Sequence, residues 1–239
     1  MVSALYTNYG IYDAEQRKKQ TLETIKSIKQ YIPNPIILMM ENSTVAIQAD
    51  ESPELTEIID QVDYFFDNSD DADIQYFHNN IANYDIGKNS METIGTTKVL
   101  KHIANDPELR TLINDSNRFF KISGRYLITE DFDFNKFANA QTDGKYVFKQ
   151  AAKAWIPEAD TGVTTLLQTR FFSFSPDLYA ATIELYQTIL SNMLGTFNRQ
   201  KYIDLEHSMS KFIPKDKLVE VDLLGITGNI APNGVKVID

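Results

Sequence analysis

The chain has 239 residues without a single cysteine, and its 33 acidic side chains outnumber 23 basic ones for a formal net charge of −10. That composition excludes disulfide frameworks, thiolate metal sites and cysteine nucleophiles. It sets the chain apart from general nucleic-acid binders, which are basic, and no run approaches the ~18–20 apolar residues that span a bilayer. The expectation is a cytoplasmic protein with no transmembrane segment and no nucleic-acid partner, long enough to bury a full core.

The opening MVSALYTNYG reads as a first strand over residues 2–7 and a turn containing Asn8 and Gly10, not as a signal peptide. Asp13, with Gln16 three residues on, predicts a helix N-terminus. Leu22, Ile25, Ile28 and Ile32 share one face of that helix, and Pro33-Asn34-Pro35 stops it. The apolar run over residues 36–40 predicts a parallel strand covered on both faces, ending in the polar cluster Glu41-Asn42-Ser43-Thr44. A short helix over residues 53–60 and a strand over residues 62–66 follow. The acidic stretch 67–73 reads as a solvated loop whose aspartates cap a helix, and its spacing matches no calcium loop. A helix is expected from about Lys88 to residue 105, then a brief helical segment and a strand over residues 119–122. Further strands are expected at 146–148, 169–174, 218–224 and 235–238. Helices are expected from Ser175-Pro176-Asp177 to Gly195 and over residues 203–212. Strands alternating with helices predict an α/β protein with a single, mostly parallel, Rossmann-like sheet in three layers and an extended C-terminal half.

Several segments carry chemistry-bearing residues at strand ends or helix starts. Phe119-Phe120-Lys121-Ile122 breaks off into Ser123-Gly124-Arg125-Tyr126. At a strand's carboxyl end, glycine admits a close ligand and arginine offers a fork suited to phosphate. The competing reading is a strand entering a turn. Thr7-Asn8-Tyr9-Gly10 with Arg17 is a loop that can hold a nucleotide base, or else a glycine turn beside an exposed arginine. Asp85-Ile86-Gly87-Lys88 places a glycine and a cation at an expected helix start, where phosphate binds, although it is no Walker A loop. Asp204, Glu206 and His207 lie within four residues, supplying a base or a metal ligand, or simply a polar helix face. Phe171-Phe172-Ser173-Phe174 reads as a core strand. Trp155 is either an exposed ring for stacking on a sugar or a core anchor. With three histidines sharing no ligand spacing and no GxSxG elbow, neither a zinc hydrolase nor a serine hydrolase is supported.

Four of these segments together resemble the GT-A type of glycosyltransferase, the nucleotide-diphospho-sugar transferase-like enzymes of microbial and viral surface-glycan clusters. YTNYG…RKKQTLETIKSIKQYIPNPIILMMENS is similar to their first β-α-β unit, and IGKNSMET to the segment that enters a helix near the diphosphate. FFKISGRY lies where many of them carry a strand ending in Asp-x-Asp. YIDLEHSM lies where late acidic or histidine residues approach acceptor or metal. The resemblance implies transfer of a sugar from a nucleotide-diphosphate donor to a glycan or lipid-linked acceptor. It implies one domain, with residues 1–126 as its nucleotide-binding half and 127–239 as its acceptor-side half. Donor contacts would come from Thr7, Asn8, Tyr9, Arg17, Glu41, Lys88, Ser123, Gly124 and Arg125, of which Lys88 and Arg125 stabilise the leaving diphosphate. Trp155 would meet the acceptor, and Glu206 or His207 would deprotonate its hydroxyl. One departure stands out. Ser123-Gly124-Arg125 replaces the paired aspartates that hold Mg²⁺ or Mn²⁺, so no metal ligand is assigned and the need for a divalent cation stays open. Asp131-Phe132-Asp133 is a second place for one. Two alternatives are a non-catalytic nucleotide- or glycan-binding module on the same fold and a sugar nucleotidyltransferase. The glycine-poor loop YTNYGIYDAEQRKK counts against the last.

Overall fold

The computed structural model describes residues 1–7, 10–45, 47–48, 51–230 and 234–239, without the side chain of Tyr84. Strand β1 (Val2–Ser3) is followed by α1 (Ala14–Tyr31), where Asp13 accepts the Gln16 amide and Gln16 returns the bond in a complete capping box. Strand β2 (Leu38–Glu41) comes after the proline stop. Helix α2 (Pro53–Gln61) starts on the Ser52 hydroxyl, which accepts the Leu55 amide, with proline in its first turn. Strand β3 (Tyr64–Asp67) leads to α3 (Ala72–Asn80), capped by Asp71. Lys98 bridges Asp71 and Asp73, so this acidic stretch is a helix start tied to its neighbour. Helix α4 (Tyr84–Asn105) begins on Asn83, four residues before the expected start, and Lys88 therefore lies inside its second turn. Gly87 does not break the helix: its N–H donates to the Asn83 carbonyl at 3.0 Å.

Helix α5 (Arg110–Asp115) precedes β4 (Phe119–Ile122) and β5 (Tyr126–Ile128). Strand β6 (Tyr146–Lys149), then β7 (Ala152–Lys153), the short α6 (Glu158–Thr161) and β8 (Thr165–Leu166) lead to β9 (Phe171–Phe174). A 3₁₀ turn at Pro176–Leu178 feeds α7 (Tyr179–Asn198), which runs through Gly195 rather than ending there. Helix α8 (Leu205–Phe212) starts on Asp204, and β10 (Leu218–Val221), β11 (Ile226–Asn229) and β12 (Lys236–Ile238) complete the chain. No helix among the described residues is long and apolar enough to cross a membrane.

The protein is α/β, and the strands among its described residues form four sets instead of the single one expected. One is parallel, in the order β1-β2-β3. A second, β10-β6-β9-β4, is mixed, with β9 antiparallel to both neighbours. These two meet at a parallel bridge between Val2 and Ser123, where the Gly124 N–H donates to the Val2 carbonyl at 2.9 Å. The bridge sets the end of β4 beside β1, opposite β2. The antiparallel β12-β11-β5 and the hairpin β7-β8 make up the rest.

Strand residues alternate between two cores, as a period of two requires. Met40, Tyr146, Phe148, Phe172 and Phe174 face α4, α7 and α8. Met39, Val147 and Phe171 face α1, α2 and the β5-β11-β12 set. The Phe148 and Phe172 rings stack at 4.5 Å and 6°, an arrangement that contributes about 0.5–1.5 kcal/mol beyond area burial. Arg118 is buried and enters no ion pair among the described residues. It donates to Ser173 Oγ (3.0 Å) and to the carbonyls of Thr142 (2.8 Å) and Lys145 (2.9 Å), and burial lowers its pKa to about 10. Residues before and after 126 share both cores and pair directly, through β4 with β9.

Candidate functional site

The carboxyl ends of β1, β2 and β4 open onto one cleft of about 430 Å³. Its walls come from Ser3, Ala4 and Thr7 after β1, Asn42 after β2, and Ser123 and Arg125 after β4. Helix α4 adds Lys88 and Glu92, the lead into α8 adds Tyr202, Asp204 and Glu206, and Trp155, Thr169 and Arg170 close the far side. The position has a topological cause. The chain steps outward from β1 through β2 to β3 and returns on the other side of β1 as β4. Where a parallel sheet reverses its order, the loops diverge and leave a crevice.

Three cations gather on the floor of this cleft around one carboxylate. Burial would raise Glu92, but the ammonium of Lys121, then that of Lys88 and the Arg125 guanidinium, outweigh burial and hold it below its ordinary range. Lys121 is buried mid-strand. Its Nζ lies 2.7 Å from Glu92 Oε1 and donates to the Thr169 carbonyl at 2.7 Å and to Ser123 Oγ at 3.0 Å. Lys88 and Arg125 enter no ion pair among the described residues, and Arg125 Nε is buried without a hydrogen-bond partner. Arg170 is committed elsewhere: it pairs with Asp239 at 3.2 Å, donates to Gln168, and lies over the Tyr126 ring. Two cations that face one cleft and enter no ion pair among the described residues give it a positive character that suits an anion.

Across the cleft stands Glu206. Its carboxylate accepts the Thr169 N–H at 3.5 Å, and burial, with the neighbouring Asp204 charge, raises its pKa. A carboxylate raised toward neutrality in a cleft is suited to proton abstraction. Trp155 is 61% exposed at the rim, its ring edge-on to His207 at 5.6 Å and near Tyr202. Tyr202 Oη in turn accepts the Asn89 amide at 3.2 Å, which ties this wall to α4.

No known protein family matches the chain, and no curated protein does.

The expected site residues divide accordingly. Thr7, Arg17, Lys88, Ser123, Arg125, Trp155 and Glu206 line the one cleft, while Asn8 and Tyr9 lie outside the described residues. Four other expectations fall on groups that are engaged elsewhere or lie off the cleft. His207 is fully buried, with Nδ1 at 2.6 Å from Asp204 Oδ1 and Nε2 accepting the Ile156 N–H at 3.4 Å, so neither nitrogen reaches an acceptor. Glu41 is buried behind the cleft wall. Its Oε1 accepts the Leu5 N–H at 2.8 Å and the Ser43 hydroxyl at 2.5 Å, which anchors the strand-one loop, and burial pushes its pKa up to about 7. Gly124 is pressed against α1, where an added Cβ would meet Thr21 Oγ1 at 3.2 Å, so its lack of a side chain serves packing. Asp133 spends its carboxylate on the Asn135 amide at 3.0 Å, and neither it nor Asp131 lines the cleft. Arg17, though on the cleft wall, also holds the loop, donating to the carbonyls of Tyr12 (3.0 Å) and Ala4 (3.3 Å).

Lys121, Glu92, Asn42, Tyr202 and Arg170 were not among the expected site residues. Lys121 had left a signal: a lysine inside an apolar strand needs a buried partner. Glu92, one turn from Lys88 on the same helix face, was the reachable carboxylate. Gly228 on β11 left none. A Cβ there would strike the Arg125 carbonyl at 2.6 Å and the Tyr126 ring, so this glycine lets β11 press directly on the segment that carries the guanidinium.

Proposed function

We propose that the cleft holds the diphosphate of a nucleotide-diphosphate sugar and that the protein is a glycosyltransferase acting on a glycan or lipid-linked acceptor. The reading treats the β1-β2-β3 and β10-β6-β9-β4 sets as one twisted, Rossmann-like sheet of the GT-A kind joined at Val2–Ser123, with a ligand at its switch point. The observation that carries it is the convergence of Lys88 and Arg125, neither in an ion pair among the described residues, at the carboxyl ends of the parallel strands in a chain of net charge −10. A pyrophosphate dianion there takes both cations as hydrogen-bonding partners. As the bond to the sugar lengthens, charge grows on the bridging oxygen, and fixed cations in a water-poor site stabilise that change by several kcal/mol. Glu206 removes the proton from the acceptor hydroxyl, and the exposed face of Trp155 offers a platform for a sugar ring. The residues at the strand end contain no carboxylate for a metal, so the diphosphate charge is met by side-chain cations. Asn42, held by Asn68 at 3.0 Å, lines the same cleft at the end of β2.

Isothermal titration with UDP and GDP, in EDTA and with Mn²⁺, tests the reading, and no binding in any of the four conditions would defeat it. A second reading, a binding module without turnover, is favoured by one feature: Ser123-Gly124-Arg125 at the strand end in place of paired aspartates. Release of free sugar from any nucleotide-diphosphate sugar dismisses it.

A further inference from the structure

The Lys121 ammonium occupies what is otherwise an oxygen-lined cation site. Around its Nζ stand the Glu92 carboxylate at 2.7 Å, the Thr169 carbonyl at 2.7 Å and Ser123 Oγ at 3.0 Å, all at the floor of the cleft beside Lys88 and Arg125. A carboxylate, a carbonyl and a hydroxyl are a hard-cation donor set, of the kind that binds Mg²⁺ or Mn²⁺ when phosphate oxygens complete the shell. Here the set is satisfied by a cation covalently attached to β4.

We propose that Lys121 is a resident monocation standing in for a divalent metal at the pyrophosphate, and that removing its side chain converts the enzyme's binding of nucleotide diphosphates from metal-independent to metal-dependent. The inference rests on the reading of the cleft as a pyrophosphate site. Its physical content is a charge count. Lys88, Lys121 and Arg125 supply three positive charges on the floor against the single negative charge of Glu92. The surplus of two matches the two charges of a diester pyrophosphate. The ammonium spends its donors on protein oxygens, so it acts on the anion through charge, while Lys88 and Arg125 supply the contacts. Truncating Lys121 leaves Glu92 buried and unpaired beside an incoming anion, which opposes binding. A divalent ion entering the emptied oxygen set reverses that sign and bridges the carboxylate to the phosphates.

The test is UDP affinity by titration calorimetry for the native chain, Lys121→Ala, and the double variant Lys121→Met with Glu92→Gln, each in EDTA and in Mn²⁺, with thermal melts to establish folding. The native chain is expected to bind equally in both. Lys121→Ala should lose about tenfold or more in EDTA and regain most of it with Mn²⁺. The double variant, which removes one positive and one negative charge and so keeps the surplus of two without a stranded carboxylate, should bind in EDTA within about threefold of the native chain and gain nothing from Mn²⁺. Glu92→Gln alone, measured in the same way, raises the surplus to three and should bind more tightly in EDTA; it decides if Lys121→Ala does not fold, and a folded Glu92→Gln with native affinity overturns the inference. A native chain that binds UDP only with Mn²⁺, a folded Lys121→Ala that binds as the native chain does in EDTA or ignores Mn²⁺, or a double variant that Mn²⁺ strengthens overturns the inference and leaves the site reading standing. A native chain that binds no nucleotide diphosphate in either condition overturns both.

Discussion

Lys88 and Arg125 differ from Lys121 and Arg170 in entering no ion pair among the described residues. Lys121 is held by Glu92 and Arg170 by Asp239, so an anion gains less from either directly. Lys88→Ala and Arg125→Ala should each weaken UDP or GDP binding about ten- to a hundredfold, as calorimetry would register, because each removes a charge-assisted hydrogen bond to phosphate. Glu206→Gln should separate the two halves of the reaction. Nucleotide affinity should stay within about twofold while kcat falls about a hundredfold or more, the usual worth of a general base. Because burial and the Asp204 charge raise Glu206, and only its ionised form accepts a proton, the acid limb of the native kcat profile should lie above the ordinary carboxylate range. A profile flat down to pH 5, or a variant with unchanged kcat, assigns the proton transfer to another group. His207 is out of the contest, since its ring is spent on pinning Asp204 to the segment that carries Ile156.

At the scale of elements, the loop after β1 hangs on Glu41. The folded state keeps that carboxyl protonated up to about pH 7, whereas the unfolded chain loses the proton near 4.5. A raised folded pKa means stability that is complete below 4.5 and is lost as pH climbs through 7, on the order of 3 kcal/mol in all. Glu41→Gln keeps a neutral acceptor for the Leu5 amide and the Ser43 hydroxyl. Urea denaturation at pH 5 and pH 8 should therefore show the variant gaining on the native chain as pH rises, and an equal gap at both values removes Glu41 as the cause. The elements themselves were legible to differing degrees. Asp13 with Gln16, Ser52-Pro53 and Pro33-Asn34-Pro35 announced their helix ends because caps and stops are local chemistry. The start of α4 was misplaced because Gly87 reads as a break, while the Asn83 cap upstream hides among polar residues. Strands β5 and β11 went unseen, since Tyr126–Ile128 is too short to show a period and its partner lies a hundred residues away. The cleft was legible where a residue conflicts with its surroundings, as Arg125 does after an apolar strand. It was illegible where function falls to residues that look ordinary in line, such as Glu92, or where a functional type such as His207 is absorbed by the core.

Over the whole molecule, the net charge of −10 and the cationic floor work against each other at long range. The acidic exterior slows the approach of any anion, and the enclosed cations retain it once inside. The sheet also imposes an order of events. Strand β9 lies between β4 and β6, paired antiparallel with both, although it follows both in the chain. As the polypeptide leaves the ribosome, two bare strand edges must wait, separated by the width of one missing strand, until residues 171–174 arrive. Exposed edges of this kind recruit one another between nascent chains. A fragment ending at residue 168 should consequently associate in light-scattering measurements where the full chain does not, and a monodisperse fragment counts against this order. The later arrival of Glu206 means that the cleft cannot be complete before this exposed stage of synthesis has passed, so the cell meets this protein first as an aggregation hazard and only afterwards with its cleft assembled.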